Sequence, residues 1–307
     1  MTSAVSTRGL SKRFKTTVAV DGADIDVPEG CCCGFLGKNG AGKTTALKML
    51  VGLIRPSAGK ISIMGREQVY GKRGGRAVGY LPDVPNFYGH MTGAEFLDLC
   101  AKLCEIPAAG RRAHVESLLA RVGLEKTRAR ISGYSRGMKQ RLGIAQAMIN
   151  EPPIIFMDEP ISALDPIGRR DVAQIIRSLK GATVVFSTHI LADVEHICDY
   201  ALIIDKGKII AQDYMENLRR KHADGAAKVR FFNESDARIF GEKALGATLD
   251  AQRVAPLEFL ARADSGGVEE LSRRITALLH KEGLAVESFG ARAPTLEDIF
   301  YKEIGDE

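Results

Sequence analysis

The chain has 307 residues, 45% hydrophobic and 26% charged, the values of an ordinary globular protein with length enough for two domains. That composition excludes a disordered or collagen-like chain, and no run approaches the roughly 18 consecutive apolar residues of a membrane span. The opening stretch MTSAVSTRGLSKRF lacks the apolar centre of a signal peptide, so a chain retained in the cytosol is expected. The net charge of +5 is uneven: residues 1–215 carry the basic excess, whereas residues 216–307 hold more acidic than basic side chains. Such an excess marks a solvated surface as readily as an anionic ligand.

In chain order, Cys31–Leu36 is an apolar run that predicts a buried strand, with Cys31, Cys32 and Cys33 as small core hydrophobes. Leu47, Leu50 and Ile54 at helical spacing predict a helix over Lys43–Leu53. From about Asn86 to Asn150 the pattern is helical throughout, an all-helical insertion. Cys100 and Cys104 stand four apart within it, without the second Cys/His pair that a metal site needs. Ile154–Met157 is a second apolar strand, Gly168–Lys180 is a helix with Val172, Ile175, Ile176 and Leu179 on one face, and Thr183–Phe186 returns as a strand. These repeats predict an α/β fold with a largely parallel sheet covered by helices on both faces. Beyond residue 215, Lys228–Phe232, Glu234–Leu245, Ala247–Val254, Leu257–Ala261, Val268–Leu279 and Leu284–Phe289 read β-α-β-β-α-β. Thr295-Leu296-Glu297-Asp298 then reads as a capping box that opens a terminal helix. The expected domains are 1–215, with the helical part at about 86–150, and 216–307.

The strongest signal is GKNGAGKT, Gly37 to Thr44, which matches G-x-x-x-x-G-K-[ST] between a predicted strand and a predicted helix. Phosphates need donors without steric bulk. Gly37, Gly40 and Gly42 let backbone N–H groups curl around phosphate oxygens, and the helix N-terminus adds partial positive charge. Lys43 can reach the β- and γ-phosphates, and the Thr44 hydroxyl can ligate Mg²⁺. Gly37, Asn39, Gly40, Ala41, Gly42, Lys43, Thr44 and Thr45 are accordingly the expected nucleotide-binding stretch.

Hydrolysis also needs a carboxylate to hold the metal and a group to activate water. Ile154–Met157 runs into Asp158 and Glu159, so the strand delivers both at its C-terminal end, where ligands of such sheets bind. Asp158 is the expected Mg²⁺ partner and Glu159 the general base. Alone the pair would read as a solvent-facing strand end, but the upstream phosphate loop favours the catalytic reading.

Taken in order, Gly37–Thr44, YSRGMKQR (Tyr134–Arg141), IIFMDEP (Ile154–Pro160), SALD (Ser162–Asp165) and STH (Ser187–His189) resemble the nucleotide-binding subunits of ATP-binding-cassette (ABC) transporters. The resemblance implies a P-loop cassette with a parallel-sheet core, an N-terminal antiparallel β-subdomain and the helical insertion, followed here by a small ferredoxin-like α+β domain. It implies that Ser135 and the backbone of Gly137 bind the γ-phosphate held by the opposite subunit of a head-to-tail dimer, at the start of an amphipathic helix that carries Met138, Leu142, Ala145 and Ile149. It implies further that His189 contacts the γ-phosphate, that Asp165 bridges the two subunits, and that Phe14 stacks on adenine, although a core Phe and a structural His are the ordinary alternatives.

Two positions depart from the family pattern. Asp83 stands where a Gln is usual; a carboxylate can approach Mg²⁺ but has no amide hydrogen to donate. The signature reads Ser135-Arg136-Gly137-Met138 in place of Ser-Gly-Gly-Gln, and Arg136 adds positive charge near the phosphates. Asp83, YSRGMKQR and the ending PTLEDIFYKEIG together resemble the ATPases of ABC-2-type bacterial exporters. The expected protein is thus an ATP-hydrolysing subunit with ATP and Mg²⁺, at the cytoplasmic face of the membrane. It would act as a homodimer or a heterodimer with a related cassette, bound to a separate ABC-2-type permease, with no nucleic acid. The alternative is a soluble cassette ATPase that acts on nucleic acid or ribosomes, but such proteins usually carry two cassettes or a long coiled-coil insertion.

Overall fold

The first strand, β1 (Ser3–Phe14), buries Ala4, Val5 and Leu10. The computed structural model describes residues 2–68, 70, 78–162, 164–223, 225–246, 249–262 and 267–305. β1 pairs antiparallel with β2 (Thr17–Ala23), β3 (Asp26–Pro28) and, later in the chain, β5 (Ala58–Ile63), which in turn pairs with β6 (Arg66–Glu67). This five-stranded sheet is the expected N-terminal β-subdomain.

The second sheet carries the parallel strands. It contains β4 (Cys32–Leu36), β7 (Val78–Leu81), β8 (Ile154–Met157), β9 (Thr183–Thr188), β10 (Tyr200–Asp205) and β11 (Lys208–Tyr214) in the order β11-β10-β4-β9-β8-β7. All pairings are parallel except that of β10 with β11. Phe35, Phe156, Val185 and Leu202 on adjacent strands share one core with Leu47 and Leu50 of α1 (Lys43–Leu50). That helix stops short of the expected Leu53. Val51 is its C-cap and Gly52 turns left-handed at φ 83°, so Leu53 is exposed and Ile54 only half-buried. Between β7 and β8 the described elements are helical: α2 (Gly93–Leu103), opened by a Thr92/Glu95 capping box, α3 (Ala108–Arg121), kinked at Ala109 and Gly110, a short 3-10 turn at Ile131–Gly133, and α4 (Arg136–Ala147). α5 (Pro166–Ser178) and α6 (Leu191–Ile197) flank β9 in sequence, and α5 buries Val172, Ile175 and Ile176 as its spacing predicts.

Close contacts position α4. A Cβ on Gly79 of β7 would lie 2.3 Å from the Ala147 carbonyl oxygen, and one on Gly143 of α4 would lie 2.5 Å from Leu81 Cδ1. The helix therefore rests on bare backbone, which two glycines permit.

By its contacts the chain divides into two compact units, one up to Met215 with the residues from Glu303, the other Glu216–Lys302. α7 (Met215–Lys221) lies at the division. The second unit has its own sheet, with β12 (Ala226–Phe231), β13 (Asp250–Ala255), β14 (Glu258–Arg262) and β15 (Val286–Ala291) in the order β13-β14-β12-β15, all antiparallel. α8 (Glu234–Gly246) and α9 (Gly267–Glu282) complete the β-α-β-β-α-β order, and Phe231, Phe240 and Phe259 meet with centroids 5.2 to 6.1 Å apart around Leu271 and Ile275. Residues 247–248 of the expected strand Ala247–Val254 lie outside the described residues. The capping box opens α10 (Leu296–Ile304): Thr295 Oγ1 accepts from the Asp298 N–H at 3.1 Å, and Asp298 Oδ2 accepts from the Thr295 N–H at 2.9 Å.

The cysteine reading needs one correction. Cys31 and Cys33 belong to the core, but Cys32 does not, because adjacent strand residues point to opposite faces. No helix among the described residues is long and apolar enough to cross a membrane.

Gly79→Ala, whose new methyl meets a carbonyl oxygen, should destabilise the protein by about 1–3 kcal/mol, the usual scale of overpacking. Gly143→Ala meets the end of the Leu81 side chain, with Pro85 at ordinary contact distance, and should cost less. Thermal unfolding of both variants measures this, and equal losses would refute the backbone contact as the reason for Gly79.

Candidate functional site

The site gathers at the C-terminal ends of β4, β8 and β9, which are neighbours in the sheet although far apart in sequence. β4 runs directly into Gly37–Gly42, and α1 begins at Lys43 with Gly42 as N-cap at φ 111°. A Cβ on Gly42 would stand 2.3 Å from the Ala19 carbonyl oxygen and one on Gly37 2.5 Å from that of Ile204, so neither position admits a side chain. Inside the loop the Ala41 N–H donates to Lys38 O at 3.1 Å.

Lys43 is 6% exposed and curls back into the loop, its Nζ donating to the carbonyl oxygens of Gly37 at 2.7 Å and Lys38 at 3.2 Å. Burial lowers its pKa from the ordinary lysine value, and the carboxylates of Glu159 and Asp158 oppose that shift. Glu159 Oε1 is 3.7 Å from Nζ.

Asp158 follows β8 directly and is almost fully buried, and two hydroxyls satisfy its Oδ1: Thr44 Oγ1 donates at 3.0 Å and Ser187 Oγ at 2.6 Å. The next residue, Glu159, lies in the left-handed region at φ 46°. Its N–H donates to Ser187 Oγ at 2.9 Å, and its Oε2 is 3.1 Å from His189 Nδ1. Ser187 therefore links the two carboxylate residues. Ser187 belongs to the STH motif without a role legible in the sequence; the available signal is a hydroxyl near the end of a fully buried strand.

Lys43, Thr44, Glu159 and His189 line a cleft of about 380 Å³, together with Ala19, Asn39, Gly40, Gly42, Thr45, Ser162 and the exposed Asp83. Of the other expected residues, Gly37 and Ala41 shape the loop behind it and Asp158 reaches it through Thr44. Phe14, Ser135, Gly137 and Asp165 are not among the lining residues. Phe14 is 47% exposed, with Lys12 Nζ 5.0 Å from its ring centroid, so it is not a core Phe. Ser135 is the N-cap of α4, its Oγ accepting from the Met138 N–H at 3.2 Å. Asp165 is the N-cap of α5, its Oδ1 accepting from the Gly168 N–H at 2.9 Å. Ala163, inside SALD, lies outside the described residues. Arg169, also missed by the sequence reading, ties α5 to α6 through a two-oxygen contact to Asp193 at 2.9 and 3.0 Å.

A glycine-rich loop, a buried lysine and the carboxylate of Glu159 thus meet at one cleft. The family model for ABC transporters matches residues 20–162. An ABC transporter ATP-binding protein of Bacillus subtilis, YxlF, is 36% identical over 98% of this chain and 99% of its own. The bacitracin transport ATP-binding protein BcrA of Bacillus licheniformis is 37% identical over 72% of this chain and 73% of its own. The daunorubicin resistance ATP-binding protein DrrA3 of Streptomyces coeruleorubidus is 33% identical over 99% and 96%. A solved ATP-binding subunit of an ABC transporter, 31% identical, superposes with a TM-score of 0.63 over 71% of this chain and 92% of that one. The chain therefore belongs to the ABC transporter family, as an ATP-binding subunit.

Proposed function

We propose that this chain hydrolyses ATP with Glu159 as general base, and that two cassettes close around two ATP molecules to drive export through a separate membrane permease of the ABC-2 type. The observation that carries the reading is the contact of Glu159 with both Lys43 and His189 on the wall of the cleft. Backbone N–H groups from Gly37 to Thr45 hold the phosphates, and Lys43 exchanges its loop carbonyls for β- and γ-phosphate oxygens. Glu159 takes a proton from the attacking water, while His189 orients that carboxylate and contacts the γ-phosphate. Oxygen donors suit a hard cation, and Thr44 and Asp158 already meet at 3.0 Å. Mg²⁺ held by Thr44 and Asp158, with Asp83 at its edge, would supply charge neutralisation at the phosphates.

The γ-phosphate of a second subunit is the proposed ligand of Ser135 and Gly137, since a capped helix N-terminus with an exposed Ser suits an anion arriving from outside the chain. Asp165 would bridge the subunits, and Phe14 would receive adenine on its exposed ring. The permease is proposed to dock beside Asp83, where Val84 and Tyr88 are exposed. Export is supported by relatives named for bacitracin transport, daunorubicin resistance and Nod factor export. Residues 216–307 are proposed to assist dimerisation or permease pairing, because none of the proposed nucleotide ligands lies beyond residue 215 and that part has its own core.

Glu159→Gln should keep ATP binding yet lose on the order of 10²-fold or more in turnover, the scale of general-base contributions. Steady-state hydrolysis beside a binding titration separates the two, and near-normal turnover would remove Glu159 from the role. Asp83→Ala should raise the Mg²⁺ concentration needed for half-maximal hydrolysis if the carboxylate approaches the metal, or uncouple transport if it acts only toward the permease. A variant normal in both respects would deny Asp83 any part. A chain ended after Tyr214 should stay soluble and bind ATP while its ATP-dependent dimer or permease assembly weakens; failure to bind nucleotide would make the later residues part of the cassette itself.

A further inference from the structure

The adjacent cysteines at the start of β4 occupy different environments. Cys31 and Cys33 point to one side and join the core. Cys31 Sγ donates to Pro28 O at 3.2 Å and burial pushes its thiol up to about 12, while Cys33 is fully buried and its thiol is raised well above the usual range. Cys32 points the other way, toward α6, and its Sγ lies 3.9 Å from Cys198 Sγ at the C-cap of that helix.

Regular structure holds this pair on both sides. The Asp199 N–H donates to Cys32 O at 3.0 Å, the Cys32 N–H donates to Asp199 Oδ2 at 3.3 Å, and the next pair along, Cys33 and Tyr200, is in parallel register. Two residues beyond Cys32 on the same face, Gly34 lets α6 sit down on the strand: a Cβ there would be 2.5 Å from Val194 Cγ1. The two sulfurs are thus brought together by strand pairing and helix packing, not by a loop.

We propose that Cys32 and Cys198 form a redox-active site that closes to a disulfide when it meets a hydroperoxide, pinning the C-terminal end of α6 to the strand that leads into the phosphate loop. Burial and the neighbouring thiol raise Cys198 well above its ordinary range, which slows its own attack on an oxidant. For hydrogen peroxide, Cys32 Sγ attacks the O–O bond, forming the sulfenic acid, and the other oxygen leaves as water with the thiol proton. Cys198 Sγ then attacks the sulfenic sulfur; the S–S bond forms, and the hydroxyl leaves with the Cys198 proton as a second water. Two thiols are oxidised and one peroxide is reduced to two waters. None of the residues proposed to bind or cleave nucleotide is consumed.

The test is treatment of the full chain with one equivalent of hydrogen peroxide, alkylation of the remaining thiols, and peptide mapping without reductant. The expected result is loss of two of the six free thiols and a cross-link that joins Cys32 to Cys198, reversed by dithiothreitol. Cys32→Ser and Cys198→Ser should each abolish the cross-link, and Cys31→Ser should leave it intact. A count that stays at six thiols overturns the proposal, as does a bridge from Cys32 to Cys31, to Cys33 or to a second copy of the chain. The wild-type map decides the question even where a variant folds poorly.

Discussion

A carboxylate buried to 1% exposure has to be hydrogen-bonded, and the proposed nucleotide site is arranged around the way Asp158 meets that demand. Its partners come from two different segments, Thr44 from the first turn of α1 and Ser187 from β9. The order β4-β9-β8 makes those bonds reachable, because it sets the ends of three parallel strands side by side. Ser187 then accepts from the Glu159 N–H, so one hydroxyl on β9 orients both residues that follow β8. Losing that hydroxyl would leave a buried carboxylate oxygen and a backbone donor each short of a partner, which is costly for groups removed from water.

Much of this was legible in the sequence because the features concerned are local. Gly37, Gly42, Lys43 and Thr44 lie within one short stretch whose strand and helix neighbours have clear periodicity, and Asp158 and Glu159 follow an unbroken apolar run. The same holds for the β-α-β-β-α-β order, since β12 and α9 show their inward faces as regular spacing. Helix ends were less legible. α1 stops at Leu50 because Gly52 adopts a conformation with positive φ, although Leu53 continues the apolar pattern. What escaped the sequence depends on which strands are neighbours: the role of Ser187, the Arg169–Asp193 tie between α5 and α6, and the placing of Cys32 against Cys198 all join segments far apart in the chain.

Phe14, Ser135 and Asp165 illustrate a different limit. Each has a local account within one chain: Lys12 over the Phe14 ring, and the N-caps of α4 and α5 on Ser135 and Asp165. N-capping is worth about 1 kcal/mol to a helix and is reason enough for a Ser or an Asp at these positions. Capping does not use up the oxygen, however. A hydroxyl that accepts one backbone N–H still has its own hydrogen to donate, and an Asp that caps through Oδ1 retains Oδ2. The local role and a role toward a second subunit are therefore compatible, and the proposed dimer does not require either helix to lose its cap.

The backbone of Glu159 brings the strands and the chemistry together. Its φ of 46° is a conformation that an ordinary L-residue adopts at a cost of about 1–3 kcal/mol and that glycine would adopt freely. Glycine would remove the carboxylate that faces both Lys43 and His189. The strain is sustained by what surrounds it: the N–H is bonded to Ser187 Oγ, the carbonyl accepts from Ser162 Oγ at 3.2 Å, and the preceding residue is anchored by its N–H to Leu81 O at 2.8 Å. An extended residue here would carry the chain onward along the strand direction, whereas the left-handed turn redirects it as soon as Asp158 has been placed. Adjacent residues can then serve different ends, the first carboxylate held inside by hydroxyls and the second turned to the cleft wall beside a lysine and a histidine.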